Sequence, residues 1–242
     1  MVLEFDGVKK EYKSSDFKLD GINFDLSEGE VLGLIGQNGS GKSTILKMAN
    51  QLVKQDGGSI KYLGQPLESM SDEDLRQARK KIVYIFQSAN LLENKTVLYH
   101  LKLVYKLNKT KVDEDEIDEI LDFMQISRLK KSYVRHLSGG QKQKLAIAMA
   151  LLQKPKVLLC DEISSALDAS AEREIFDLLA KIVEERKISI MIISHNLDVL
   201  KNFSDRILLL DKGQIQKEII PTKSANKQED NYFNHVVEYF YD

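Results

Sequence analysis

The stretch Gly36 to Thr44 reads GQNGSGKST and fits the pattern G-x-x-x-x-G-K-[ST], whose residue types suit phosphate binding. Glycines at positions 36, 39 and 41 permit positive φ, so backbone N–H groups can close around phosphate oxygens. Lys42 supplies a full positive charge for the outer phosphates, and the Ser43 hydroxyl is a hard ligand suited to Mg²⁺. Such a loop works only between two elements. The apolar run Val31-Leu32-Gly33-Leu34-Ile35 predicts a buried strand before it, and Ile45, Leu46, Met48 and Ala49 predict a helix after it. The helix points the positive end of its dipole at the same space.

A second set of groups sits at another strand end. Lys156-Val157-Leu158-Leu159-Cys160-Asp161-Glu162 is an apolar run closed by two carboxylates, and in an open α/β sheet such a position faces the ligand crevice. Asp161 could hold a Mg²⁺-bound water, and Glu162 could orient and deprotonate an attacking water. Cys160, inside the apolar run, reads as a small buried filler. Leu137-Ser138-Gly139-Gly140-Gln141 opens a further helix, with Ser138 as N-cap and two glycines leaving its N–H groups uncovered. Gln87 ends the apolar strand Ile82 to Phe86; its amide could reach a metal or a water only if that strand lies beside the phosphate loop. Tyr12, among charges, is either a surface residue or a flat ring for base stacking. His100, His136 and His235 stand apart from other ligand-type residues, and the acidic run Asp113 to Asp122 reads as a solvated helix face.

Bulk properties bound the answer. The 242 residues suffice for one large core or two modest ones. The 35 basic and 37 acidic residues nearly cancel, leaving no global field to attract nucleic acid. A single cysteine excludes a disulfide framework within the chain and fits a reducing compartment. No run approaches the roughly 20 apolar residues needed to span a bilayer, and MVLEFDGVKK lacks a signal-peptide core. A soluble, cytoplasmic protein is expected.

The remaining elements follow from pattern. Residues 2–31 alternate like strands, and Ile60 to Leu63 predicts another strand. Ser71-Asp72-Glu73-Asp74 resembles a capping box opening a helix to about Lys80. The chain from about Leu91 to Leu152 reads as helical. Ile175, Leu178, Leu179 and Ile182 mark a helix, Ile188 to Ile193 a buried strand ending at Ser194-His195, and Ile207 to Ile219 a hairpin turning at Asp211-Lys212-Gly213. Phe233, Val236, Val237, Phe240 and Tyr241 suggest a short amphipathic tail helix after a polar linker.

From Tyr12 to about Ile219 these motifs, in their order, resemble the ATP-binding subunits of ABC transporters. GQNGSGKST is similar to their Walker A loop, Gln87 to the Q-loop residue, LSGGQ at 137–141 to the signature, VLLCDE at 157–162 to Walker B with its glutamate, SALD at 165–168 to the D-loop, and His195 to the switch histidine. The resemblance implies an α/β fold: a P-loop core with a mainly parallel sheet, an N-terminal antiparallel β subdomain and an inserted helical subdomain at about 91–152. One ATPase domain would span 1–220, with linker and tail helix at 221–242. It implies that Tyr12 stacks on adenine. Gly36, Asn38, Gly39, Ser40, Gly41, Lys42, Ser43 and Thr44 would hold the triphosphate, with Gln87 and Asp161 beside Ser43 around Mg²⁺. Glu162 would polarise the water and His195 contact the γ-phosphate. Ser138, Gly139, Gly140, Gln141 and Asp168 would serve a nucleotide shared with a second ATP-binding subunit.

The same resemblance implies permease subunits encoded separately, a solute-binding protein at the level of the complex, no nucleic-acid partner, and a place on the inner face of the cell membrane. The wording of VLLCDE, SALD and FQSANLL is most similar to methionine-type amino-acid importers, whose additional C-terminal regulatory domain this sequence is expected to lack. Ile163, Lys144, Met149 and the pair Arg135-His136 depart from the family's habits, which predicts altered contacts of the signature helix without loss of catalysis. The alternative is a soluble ABC ATPase acting on DNA or ribosomes. Against it stand the single cassette, the near-neutral charge, and only about fifty residues between Gln87 and Leu137, too few for a long coiled coil.

Overall fold

The computed structural model describes residues 1–12 and 17–222; the expected tail helix and His235 lie outside them. Two sheets form. Strands β1 (Leu3–Glu11), β2 (Lys18–Leu26), β4 (Gly57–Tyr62) and β5 (Gln65–Pro66) make an antiparallel sheet in the order β2-β1-β4-β5. Phe5 opposite Phe24 pins the β1–β2 register, their rings stacked 4.3 Å apart. The central sheet runs β10 (Gln214–Ile219), β9 (Arg206–Asp211), β3 (Val31–Gly36), β8 (Ser189–Ile193), β7 (Val157–Asp161), β6 (Ile82–Ile85). It is parallel except for β10, which closes its edge as the antiparallel arm of a hairpin.

Burial on both faces explains why these strands read as unbroken apolar runs. Alternate residues of β7 and β8 serve opposite cores. Leu158, Cys160, Ile190 and Ile192 pack with the helical side, while Val157, Leu159, Met191 and Ile193 pack with α1 (Lys42–Ala49) and the antiparallel sheet. Asp161 follows Leu159 by two residues, which puts it on the face of β7 that α1 covers.

Helix α2 (Asp72–Lys81) starts at Ser71, whose Oγ accepts from the Asp74 amide at 3.1 Å. The stretch expected to be helical from Leu91 is interrupted. It holds α3 (Val97–Asn108), α4 (Glu114–Phe123) and α5 (Gly139–Leu151), with single 3₁₀ turns between α4 and α5. Residues before Thr96 form a loop pinned by His100, whose Nε2 accepts from the Leu92 amide at 2.9 Å while Nδ1–H donates to the Thr96 carbonyl at 2.8 Å. His100 is therefore structural. Cys160 is fully buried, and burial pushes its thiol pKa up, so it is the inert filler its position suggested. Helices α6 (Ala169–Arg186) and α7 (Leu197–Phe203) flank β8, and α7 was not anticipated from the sequence.

Candidate functional site

Four neighbouring parallel strands end at one edge of the central sheet, and each delivers a candidate group there. β3 leads into the glycine loop, β8 into His195, β7 into Asp161 and Glu162, and β6 toward Gln87.

The loop has the expected conformation, with φ of 151° at Gly36, 81° at Gly39 and 105° at Gly41. Gly36 is required by contact as well: a Cβ there would collide with the Leu210 carbonyl. A Cβ on Gly41 would lie 2.5 Å from Leu19 Cδ2 and 2.8 Å from Phe17 Cζ. Gly41 is also the N-cap of α1, and no side chain caps that helix, so the amides of its first turn stay available to an anion. Lys42 is buried, and its ammonium donates to the carbonyls of Gly36 at 2.8 Å and Gln37 at 3.0 Å. Burial pulls its pKa below the ordinary lysine value, opposed by the negative charges of Glu162 and Asp161. A buried cation held by carbonyl oxygens of its own loop is a site that fits an anionic phosphate.

Asp161 faces α1. Its Oδ1 accepts from Ser43 Oγ at 2.9 Å, and its Oδ2 accepts from the Tyr84 hydroxyl. Serine hydroxyl and carboxylate are hard oxygen donors of the kind Mg²⁺ takes, and Mg²⁺ fills its remaining positions with phosphate and water. Among the described residues no cluster of three or more His, Cys, Asp or Glu could hold a metal ion.

Glu162 lies beyond the strand end with φ 51°, a left-handed conformation uncommon for a non-glycine residue, while its amide still donates to the Ile193 carbonyl at 3.1 Å. This turn swings the carboxylate to His195 and Gln87. His195 Nε2 is 2.9 Å from Glu162 Oε1, and because a carboxylate only accepts, Nε2 carries the proton. Gln87 Nε2 donates to Glu162 Oε2 at 3.3 Å and to Ser165 Oγ at 3.1 Å. The amide expected beside Ser43 and Asp161 is thus found on the glutamate side of the site.

Tyr12 stands at the rim, its hydroxyl 3.4 Å from Thr44 Oγ1, with Phe17 at a ring distance of 6.4 Å and Lys10 Nζ 5.6 Å from the ring centroid. Residues 138–141 are elsewhere. Ser138 and Gln141 close a reciprocal capping box on α5 at 3.3 and 3.0 Å. A Cβ on Gly139 would come within 3.2 Å of Leu167, and one on Gly140 within 3.2 Å of Ala171. Asp168 caps α6 through Ala171 N at 2.8 Å. The Leu137 amide donates to the Val134 carbonyl at 3.0 Å, the hydrogen bonds of Ser138 to Gln141 stay within α5 and its cap, and none reaches the glycine loop.

Two groups at the site were not singled out from sequence. Phe17 stands five residues after Tyr12 and has no local pattern to mark it. Tyr84 needed the strand register, which no local pattern carries. Of the unusual positions, Lys144 is buried and paired with Glu174 at 2.9 Å, and Met149 packs partly buried against the helical core. Arg135 donates to its neighbour His136 at 3.2 Å.

A family profile described as ABC transporter matches residues 19–165. The methionine import ATP-binding proteins MetN of Clostridium tetani and Legionella pneumophila are 42% and 41% identical to the chain, over 81% and 94% of its length. The chain spans 63% and 67% of their own lengths. Among solved structures, cbiO1 from Clostridium perfringens, part of the ABC transporter complex cbiONQ, gives a TM-score of 0.83 at 30% identity, over 91% of this chain and 88% of that one. The ATP-binding cassette MJ0796, dimeric and bound to ADP and Pi in a post-hydrolysis state, gives 0.80 at 30% identity, over 92% and 100%.

Proposed function

This chain belongs to the ABC transporter family and carries its ATP-binding domain, and on that premise we propose that it hydrolyses Mg²⁺-ATP to power a membrane transporter for amino-acid uptake. What carries the reading is the convergence at one sheet edge of the glycine loop, the Ser43–Asp161 pair at 2.9 Å and the His195–Glu162 pair at 2.9 Å.

Each group has a task that follows from its surroundings. The amides opening α1 bind the phosphates, and Lys42 exchanges its two carbonyl partners for phosphate oxygens. Ser43 and Asp161 would hold Mg²⁺, which offsets the negative charge of the phosphates. Water attacks the γ-phosphorus, the bond to the ADP oxygen breaks, and Glu162 orients the water and takes its proton. His195 holds that carboxylate through Nε2–H and presents the ring toward the γ-phosphate, while the Gln87 amide steadies the other oxygen. Tyr12 offers its ring to adenine.

Ser138, Gly139 and Gly140 complete the site of a second ATP-binding subunit, so that two chains enclose two nucleotides. Their place at the start of α5, against Leu167 and Ala171 and with no hydrogen bond to the glycine loop of their own chain, supports this, and the MJ0796 cassette, similar in fold, is dimeric. A cleft of 210 Å³ beside β6, lined by Val83, Ile85, Phe86, Val104, Leu107 and Met149, suits an apolar segment of a separate membrane subunit. Phe86 and Leu107 are 43% and 74% exposed there. Among the described residues no helix is long and apolar enough to cross a membrane, so the permease would be another chain at the inner face, joined by a solute-binding protein in an import complex. Methionine is the cargo that the names of the relatives point to.

Steady-state hydrolysis tests the chemistry. Glu162→Gln is expected to slow ATP turnover by at least about a hundredfold while ATP binding persists. Turnover equal to that of the unaltered chain would remove Glu162 from the role of base.

A further inference from the structure

β6 is a strand of four buried residues, and Tyr84 alone among them carries a polar side chain. In the parallel register Tyr84 lies opposite Leu159, so its side chain shares a face with Asp161, two residues further along β7. There its hydroxyl donates to Asp161 Oδ2, while Ser43 Oγ donates to Oδ1 at 2.9 Å from the opposite side. The ring is fixed by packing against Phe86, with centroids 4.6 Å apart.

We propose that Tyr84 is a positioning residue for metal binding: its phenol fixes the rotation of the Asp161 carboxylate, keeping Oδ1 aimed at Ser43 and the ion they hold together. The inference rests on the reading of Ser43 and Asp161 as the Mg²⁺ pair. An aspartate carboxylate turns in a broad, roughly two-fold torsional well, so a side chain gripped at one oxygen only would wander. A donor at Oδ2, on a rigid central strand, removes that freedom without adding charge. Outer partners of metal-binding carboxylates typically govern affinity by about ten- to a hundredfold. The bland reading is that Tyr84 fills the core and its hydroxyl takes the nearest acceptor.

The full chain carrying Tyr84→Phe, which removes one oxygen and keeps the ring, separates the two. Mn²⁺ binding is titrated by loss of the free-ion electron paramagnetic resonance signal in the presence of a non-hydrolysable ATP analogue. Analogue binding in EDTA and the melting temperature are measured alongside, with Asp161→Asn as reference. The expected result is Mn²⁺ affinity weakened about tenfold in Tyr84→Phe, with EDTA binding of the analogue unchanged. A Tyr84→Phe titration that overlays the unaltered chain, while Asp161→Asn binds weakly, makes Tyr84 a filler and overturns the proposal. Should Asp161→Asn overlay as well, the metal reading itself falls and takes this inference with it.

Discussion

Glu162 combines a left-handed backbone conformation with two engaged carboxylate oxygens, an arrangement that fits its proposed role as the base. A left-handed non-glycine residue costs on the order of 1–3 kcal/mol, and φ 51° at this position is held by the Ile193 carbonyl on one side and by His195 and Gln87 on the other. Replacing Glu162 by glycine is therefore expected to raise the melting temperature by a few degrees while hydrolysis is lost, since about 1 kcal/mol moves a domain of this size by roughly 2–4 °C. A lower melting temperature in a thermal scan would mean that the side-chain contacts outweigh the strain. Lys42 is the second costly residue. Burial disfavours its charged form and pulls its pKa below the ordinary lysine value. Lys42→Ala is thus expected to abolish ATP binding in a fluorescence titration without lowering the melting temperature of the nucleotide-free protein.

At the scale of elements, loops bring the chemistry but helix starts hold the loops. Glu172, in the first turn of α6, accepts from Ser164 Oγ at 2.7 Å and from Asn196 Nδ2 at 2.9 Å, tying the loop after β7 to the loop after β8. Those loops carry Glu162 and His195. Glu172→Ala should cost about 1 kcal/mol, given partial exposure, and reduce hydrolysis several-fold with ATP affinity retained. Hydrolysis at the original rate would show that the two loops need no tie. Ser138 is the N-cap of α5, so its loss is expected to cost about 1 kcal/mol apart from the dimer contact proposed for it. Much of this scale was legible in the sequence. The strands Val31–Gly36 and Val157–Asp161 were visible because burial on both faces makes them continuous apolar runs, and the Ser71 cap because its chemistry is local. Helix α7 escaped because Leu197–Phe203 has seven residues, too few for a period to emerge. The loop from Gln87 to Thr96 was read partly as helix because its tie to His100 depends on tertiary packing.

Across the whole molecule, sequence order and spatial order diverge in a useful way. Residues 36–44, 87, 161–162 and 195 are scattered along the chain, and the parallel sheet gathers them at one edge. Their identities were readable from motif and strand ends, whereas the Tyr84–Asp161 bond and the placement of Gln87 against Glu162 depend on register and rotamer. Residues 138–141 are not gathered at that edge. They sit at the start of α5 against the segment around Leu167 and Ala171, with backbone amides of a glycine-opened helix and no nucleotide loop of their own chain bonded to them. We propose that a second chain brings the other half of each site. It is tested most directly by the mass of the Glu162→Gln protein in solution, measured by light scattering with Mg²⁺-ATP and with EDTA. The expected result is a shift from one chain of 27.6 kDa to twice that mass with Mg²⁺-ATP alone, abolished by adding Gly140→Asp. A single-chain mass under both conditions, with ATP shown to be bound, would contradict it.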